Sequence, residues 1–158
     1  MPALHLSLLR LWKSVKDWVM AISDAFLYEY AVIRYVPRVD REEFVNIGLI
    51  MMCKRRRWMR AGIWLDADRL KAFCHVCDIG QLRLQTAFFL RDDVPSRDIP
   101  VEERYRWLSA VKSAVIQVSP SHPGILSEEY SESEPNGREQ AIMRLDDEFD
   151  RLFRELVL

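Results

Sequence analysis

The sequence predicts an α+β fold: a small, mainly antiparallel sheet of three to four strands, with helices packed mainly on one face. Three observations carry this. Residues 28–66 hold three strand-like runs separated by two polar loops. The flanking chain instead repeats its apolar residues at helical spacing. The composition, 49% hydrophobic and 30% charged over 158 residues, is that of a globular chain, long enough to bury roughly 70% of its unfolded surface.

In chain order, residues 4–22 place Leu4, Leu8, Leu11, Val15, Trp18 and Ile22 on one helical stripe, with Arg10, Lys13 and Lys16 off it. Such a stripe covers a core, docks on a partner or lies on a membrane surface. Arg10 and Lys13 interrupt the apolar region, which argues against a secretory signal. Met20 offers a second start that keeps the whole sheet. Residues 1–25 are therefore read as an amphipathic extension of a single domain spanning 26–158.

Residues 28–36 are rich in β-branched and aromatic side chains, and Pro37 is expected to end that strand. Residues 38–43 carry five charges in six positions and form a solvated loop. Residues 44–53 are almost continuously apolar, as in a strand covered on both faces. Residues 58–65 alternate, with Met59, Ala61, Ile63 and Leu65 on one side and Trp58, Arg60, Gly62 and Trp64 on the other. The turn at 54–57 joins the last two runs into an antiparallel hairpin.

Beyond the sheet, Asp66 and Asp78 stand where helix N-caps belong, Asp78 with Gln81 three residues on. Pro100 opens a third helix with Tyr105 and Leu108 facing inward. Residues 113–118 read as a short strand, and SPSHPG at 119–124 as a turn. Residues 127–139 are acidic and polar and are read as flexible. Ile142, Leu145, Phe149, Leu152, Phe153 and Leu156 mark a last amphipathic helix.

The net charge of −1 excludes a global field drawing the chain to nucleic acid. Residues 1–80 hold 13 basic and 9 acidic groups, and residues 81–158 hold 10 and 15, so the halves carry +4 and −5. Three cysteines, an odd number, suit a reducing, cytoplasmic compartment. No apolar run approaches the ~18 residues of a membrane span.

Four groups of residues have chemical potential. Arg34, Arg41, Glu43 and Asn46, with Glu42, fall at facing strand ends; they lock a turn through ion pairs or hold an anion. Ser119 and His122 sit in the SPSHPG segment, where the imidazole is a proton shuttle or a backbone partner; no elbow motif or third member makes them a nucleophilic pair. Lys54, Arg55, Arg56 and Arg57, with Arg60, Trp58 and Trp64 nearby, are a phosphate-binding tip or a solvated turn that blocks edge pairing. Cys74 and Cys77 have CxxC spacing, but a zinc site needs a second ligand pair that the chain lacks. No glycine-rich phosphate loop is present, so neither a metal nor another cofactor is expected.

RYVPRVDREEFVNIG at residues 34–48 and RWLSAVKSAVIQVSPSHPG at 106–124 resemble the two signatures of the bacterial domain-of-unknown-function family 3037. The final helix LDDEFDRLFRELV at 145–157 is also of that type, so the resemblance spans residues 26–158. The helix at 1–22, the CHVCDIG stretch at 74–80 and the length of the acidic segment depart from the pattern. The resemblance implies no activity, but it implies a protein partner of the HipA-type kinase fold.

Taken together, the chain reads as a non-catalytic interaction or accessory protein. The alternative is an enzyme acting on a phosphate-containing or nucleic-acid substrate through Arg34, Glu43 and His122. That alternative needs the 113–118 strand to lie parallel to the first run, which would bring the 119–124 turn beside Arg34 and residues 41–46 as one polar site.

Overall fold

A computed structural model of the chain describes residues 25–93, 95, 98–110, 113–127 and 136–158. The helix expected at residues 1–25 and most of the flexible segment expected at 127–139 lie outside the described residues. The elements are β1 (Ala25–Arg38), β2 (Glu43–Cys53), β3 (Trp58–Ile63), α1 (Ala67–Phe73), α2 (Ile79–Thr86), α3 (Val101–Ser109), β4 (Ile116–Val118), β5 (His122–Ser127) and α4 (Gly137–Leu156). The α+β class is as expected, but the sheet has five strands rather than three or four. Its order is β3-β2-β1, and β4 and β5 then share the other edge of β1. Every pairing is antiparallel.

The helices begin where the sequence places their caps. The Asp66 carboxylate accepts the Arg69 N–H at 2.8 Å, and the Asp78 carboxylate accepts the Gln81 N–H at 3.0 Å. Each bond satisfies a first-turn donor that has no intrahelical partner.

The apolar run in β2 is explained by a layer on each side. Ala31, Ile33, Tyr35, Ile50 and Met52 pack with Leu70, Leu82, Phe89, Tyr105 and Leu108 of the α1–α3 layer. Val32, Leu49, Met51 and Cys53 pack with Ala141, Leu145, Phe149 and Leu152 of α4. Three helices thus share one face, and the longest takes the other. The alternation in β3 follows: Met59, Ala61 and Ile63 join the first cluster, and Trp58 the second.

Three irregularities set the register. Ile33 faces Gly48 but Arg34 faces Asn46, so Ile47 is an extra residue in β2. That insertion shifts the alternation, which puts Val45 and Ile47 on the same side as Ile50 and Met52. The second lies between Tyr35 and Arg38, where β1 carries the extra residue. Pro37 therefore does not end the strand as expected. It falls in an irregularity, where no ladder donor is required of it.

The third overturns two expectations at once. SPSHPG is not a turn: Ser119, Pro120 and Ser121 bulge opposite Ala31 and Val32, and β5 begins at His122. β4 also runs antiparallel to β1, not parallel. The reason is where the chain arrives. Val36 N–H donates to the Val115 carbonyl at 2.8 Å, so the chain meets β1 at its C-terminal end and can only run back along it. β5 then covers Ala25–Tyr30, an edge that β4 alone would leave unpaired.

Candidate functional site

A concave site lies between the β2–β3 hairpin tip and the start of α3. It holds about 670 Å³ and is lined by Lys54, Arg57, Arg104, Asp98, Glu102 and an apolar set that includes Met59 and Ile99. That size falls in the range of small-molecule sites. The hairpin closes through a bond from Arg57 N–H to the Lys54 carbonyl at 3.1 Å, which forces Arg57 to φ 48. A side chain in this left-handed region is strained, and glycine would fit it better.

The charges of the cleft are unequally committed. Lys54 Nζ pairs with Glu102 Oε1 at 3.0 Å. The Glu102 carboxyl is held below its usual range, first by a backbone N–H at the start of its own helix and then by Lys54. Arg104 Nη2 donates to the Asp92 carbonyl at 3.1 Å, and its buried Nε has no partner among the described residues. Arg57 makes no ion pair among the described residues. Arg55 and Arg56 each have a partner of their own. Of the four basic residues read as a phosphate-binding tip or a solvated turn, Lys54 and Arg57 line the cleft.

The first polar cluster comes together only in part. Arg34 faces Asn46 across β1–β2, and its guanidinium lies 4.1 Å from the centre of the Phe44 ring. Arg41 and Glu43 form an exposed pair at 2.5 Å. Asn46 Nδ2 donates to the Leu156 carbonyl at 2.8 Å, and Arg69 Nη1 donates to the Val157 carbonyl at 2.5 Å. These two side chains satisfy carbonyls at the end of α4, which has no further turn to do so.

Ser119 and His122 do not join that cluster. Ser119 is buried and staples the bulge: its Oγ accepts the Val32 N–H, and its N–H donates to the Val32 carbonyl, both at 2.9 Å. Its hydroxyl proton goes to the Pro120 carbonyl at 2.9 Å. His122 is exposed, with its ring centre 5.3 Å from that of Tyr30. The neighbour of Arg34 on this edge is Gln117. Tyr30 and Arg34 are four positions apart on β1, roughly 13 Å at strand rise. The single polar site expected from a parallel β4 does not form.

Two hydrogen-bonded sets escaped the sequence reading. Ser121 Oγ donates to Glu29 at 2.9 Å and so accepts from the Tyr105 hydroxyl at 2.8 Å. The Tyr28 hydroxyl donates to Glu148 at 2.5 Å, and Arg151 grips the same carboxylate twice at 2.8 Å. Burial, and then Glu148, raise the Tyr28 pKa, whereas Arg151 holds Glu148 below its usual range. The Tyr28 ring crosses Gly124, its partner in β5, where a Cβ would collide with it. Only the glycine was a signal, and it was read as part of a turn.

Cys53, Cys74 and Cys77 are free thiols. Burial raises the Cys53 pKa, and burial, followed by the neighbouring Cys77 and Cys74, raises that of Tyr35. Among the described residues no three or more His, Cys, Asp or Glu side chains are grouped to hold a metal. No described helix is long and apolar enough to cross a membrane.

The family described as Protein of unknown function (DUF3037) matches residues 30–135. The chain belongs to that family. The match covers β1 from Tyr30 through β5 and contains the cleft, the Arg34 cluster and the cysteine loop. α4, which the resemblance was expected to include, lies beyond it, so DUF3037 here is completed on one face by a helix outside the matched region. No curated protein and no solved structure matches the chain.

Proposed function

We propose that this DUF3037 protein is a non-catalytic interaction or accessory protein of the bacterial cytoplasm, a compartment in which three free cysteines stay reduced. The observation that carries the reading is the end of the sheet at β1 and β5. Leu27 and Ile125 stand directly opposite each other there and are 64% and 66% exposed. β5 pairs with β1 on one side and has no strand on its other side among the described residues. An apolar pair beside an open strand edge suits a partner that adds a strand or lays an apolar face across it. The enzyme alternative is weakened because Arg34, Glu43 and His122 each have a separate neighbour: Phe44, Arg41 and Tyr30.

The partner implied by the family resemblance is a HipA-type kinase-fold protein. Co-expression of the two chains from one host, followed by size exclusion, is the test. The expected result is one co-eluting complex that Leu27→Glu with Ile125→Glu disrupts, while the melting temperature of the isolated protein stays unchanged. Separate elution of the parent proteins would remove this partner, and a complex indifferent to the two substitutions would remove this surface.

A further inference from the structure

We infer that the cleft between the β2–β3 tip and α3 binds a phosphate-bearing small molecule of nucleotide size, with Arg57 and Arg104 as the phosphate donors. This goes beyond the interaction reading and uses a surface formed by other residues. Three observations converge on it. The cleft is concave and holds about 670 Å³, room for a nucleoside monophosphate. Its cations exceed its carboxylates by three to two, so the lining carries +1. Both arginines keep spare donors: among the described residues neither makes an ion pair, and Arg104 commits only Nη2, to the Asp92 carbonyl.

The backbone supplies a further argument. Arg57 occupies a left-handed position that glycine would hold without strain. Backbone strain of this kind concentrates where a side chain is needed at a fixed place. Holding an arginine over a cleft is such a use, because its planar fork matches two phosphate oxygens at once. Lys54 is already neutralised by Glu102 and adds to the field without donating first.

The carboxylates narrow the ligand class. Asp98 and Glu102 line the same cleft and would repel a continuous phosphate backbone. Opposite a single phosphate, they can instead accept hydrogen bonds from hydroxyl or amino groups on the rest of a small ligand. Met59, Ile99, Pro100 and Val101 supply apolar lining for its body. A single-stranded nucleic acid fits this mixture less well.

The test is calorimetric titration of the full chain with the four ribonucleoside 5′-monophosphates, the matching nucleosides, inorganic phosphate and a short single-stranded DNA. At least one monophosphate should bind saturably, about tenfold or more tighter than its nucleoside and than phosphate alone. Arg57→Gly should weaken that binding about tenfold while leaving the melting temperature equal or higher, because it relieves the left-handed strain. Arg104→Gln should weaken it similarly. The inference is overturned if the parent protein binds no monophosphate at millimolar concentration, or if Arg57→Gly binds as the parent does. Binding confined to DNA, with a steep fall as salt rises, would also overturn it in favour of a nucleic-acid surface. None of these outcomes depends on whether a protein partner is found.

Discussion

Strand β2 ends in two charged tips, and they use their charges differently. At the 39–42 tip the charges close on their immediate neighbours: Arg38 meets Asp40 at 2.7 Å and Arg41 meets Glu43 at 2.5 Å, all well exposed. At the 54–57 tip, Lys54 reaches Glu102 on α3, and Arg57 lines a cleft with no ion pair among the described residues. Each tip forces one non-glycine residue into the left-handed region, Glu42 at φ 55 and Arg57 at φ 48. The local chemistry is alike. The difference is that α3 approaches only the second tip, and a cleft requires two walls.

The largest expected effect concerns the strand that both tips share. Asn46→Ala removes the donor to the Leu156 carbonyl and loosens the end of α4. It should lower unfolding free energy by about 1–3 kcal/mol in urea titration, the cost of a part-buried carbonyl left without its bond. An unchanged urea midpoint would show that the Leu156 carbonyl is satisfied without it.

The Glu148 cluster gives a reference for what a shielded pair contributes, beside the exposed pairs of the first tip. Glu148 is held below the usual glutamate range by Arg151, and its side chain is only 13% exposed. A depressed folded value means that the unfolded chain binds the proton more readily. The contribution is therefore complete above the ordinary value of about 4.3 and is lost as pH falls through the lowered one. Glu148→Gln should flatten the loss of stability below that value. An acid limb as steep as the parent's would place the sensitivity elsewhere.

Replacing the strained residue at each tip separates shape from charge. Glu42→Gly and Arg57→Gly should each raise stability by about 0.5–1 kcal/mol in thermal unfolding, since both relieve a left-handed side chain. Only the second should alter ligand binding. A stability loss at Arg57 alone would mean that its side chain holds the tip in place.

The smallest effect is expected at the exposed pair. Arg41→Ser should cost no more than about 0.5 kcal/mol, and less in high salt, because water already screens both partners. A larger cost would give the first tip an organising role that its exposure does not suggest.

Much of the frame was legible from local pattern. Asp66 and Asp78 cap the helices they were expected to cap, because a cap bond closes within three residues. The two sides of β3 sort into two cores as their alternation implied, and the unbroken apolar run of β2 announced a layer on each face. These features depend on periods of two and 3.6 and on near neighbours, which one sequence displays. Tertiary structure alone decided the rest. Each of the three irregularities in β1's pairing shifts the ladder by one residue, and no local pattern records which strand takes the extra one. Ser119 became a staple because Val32 lies opposite the bulge, and Asn46 an anchor because α4 ends beside it, 110 residues along the chain. The cleft needs α3 against the hairpin tip, so Arg104 and Glu102 acquire their meaning only from a contact between segments distant in sequence.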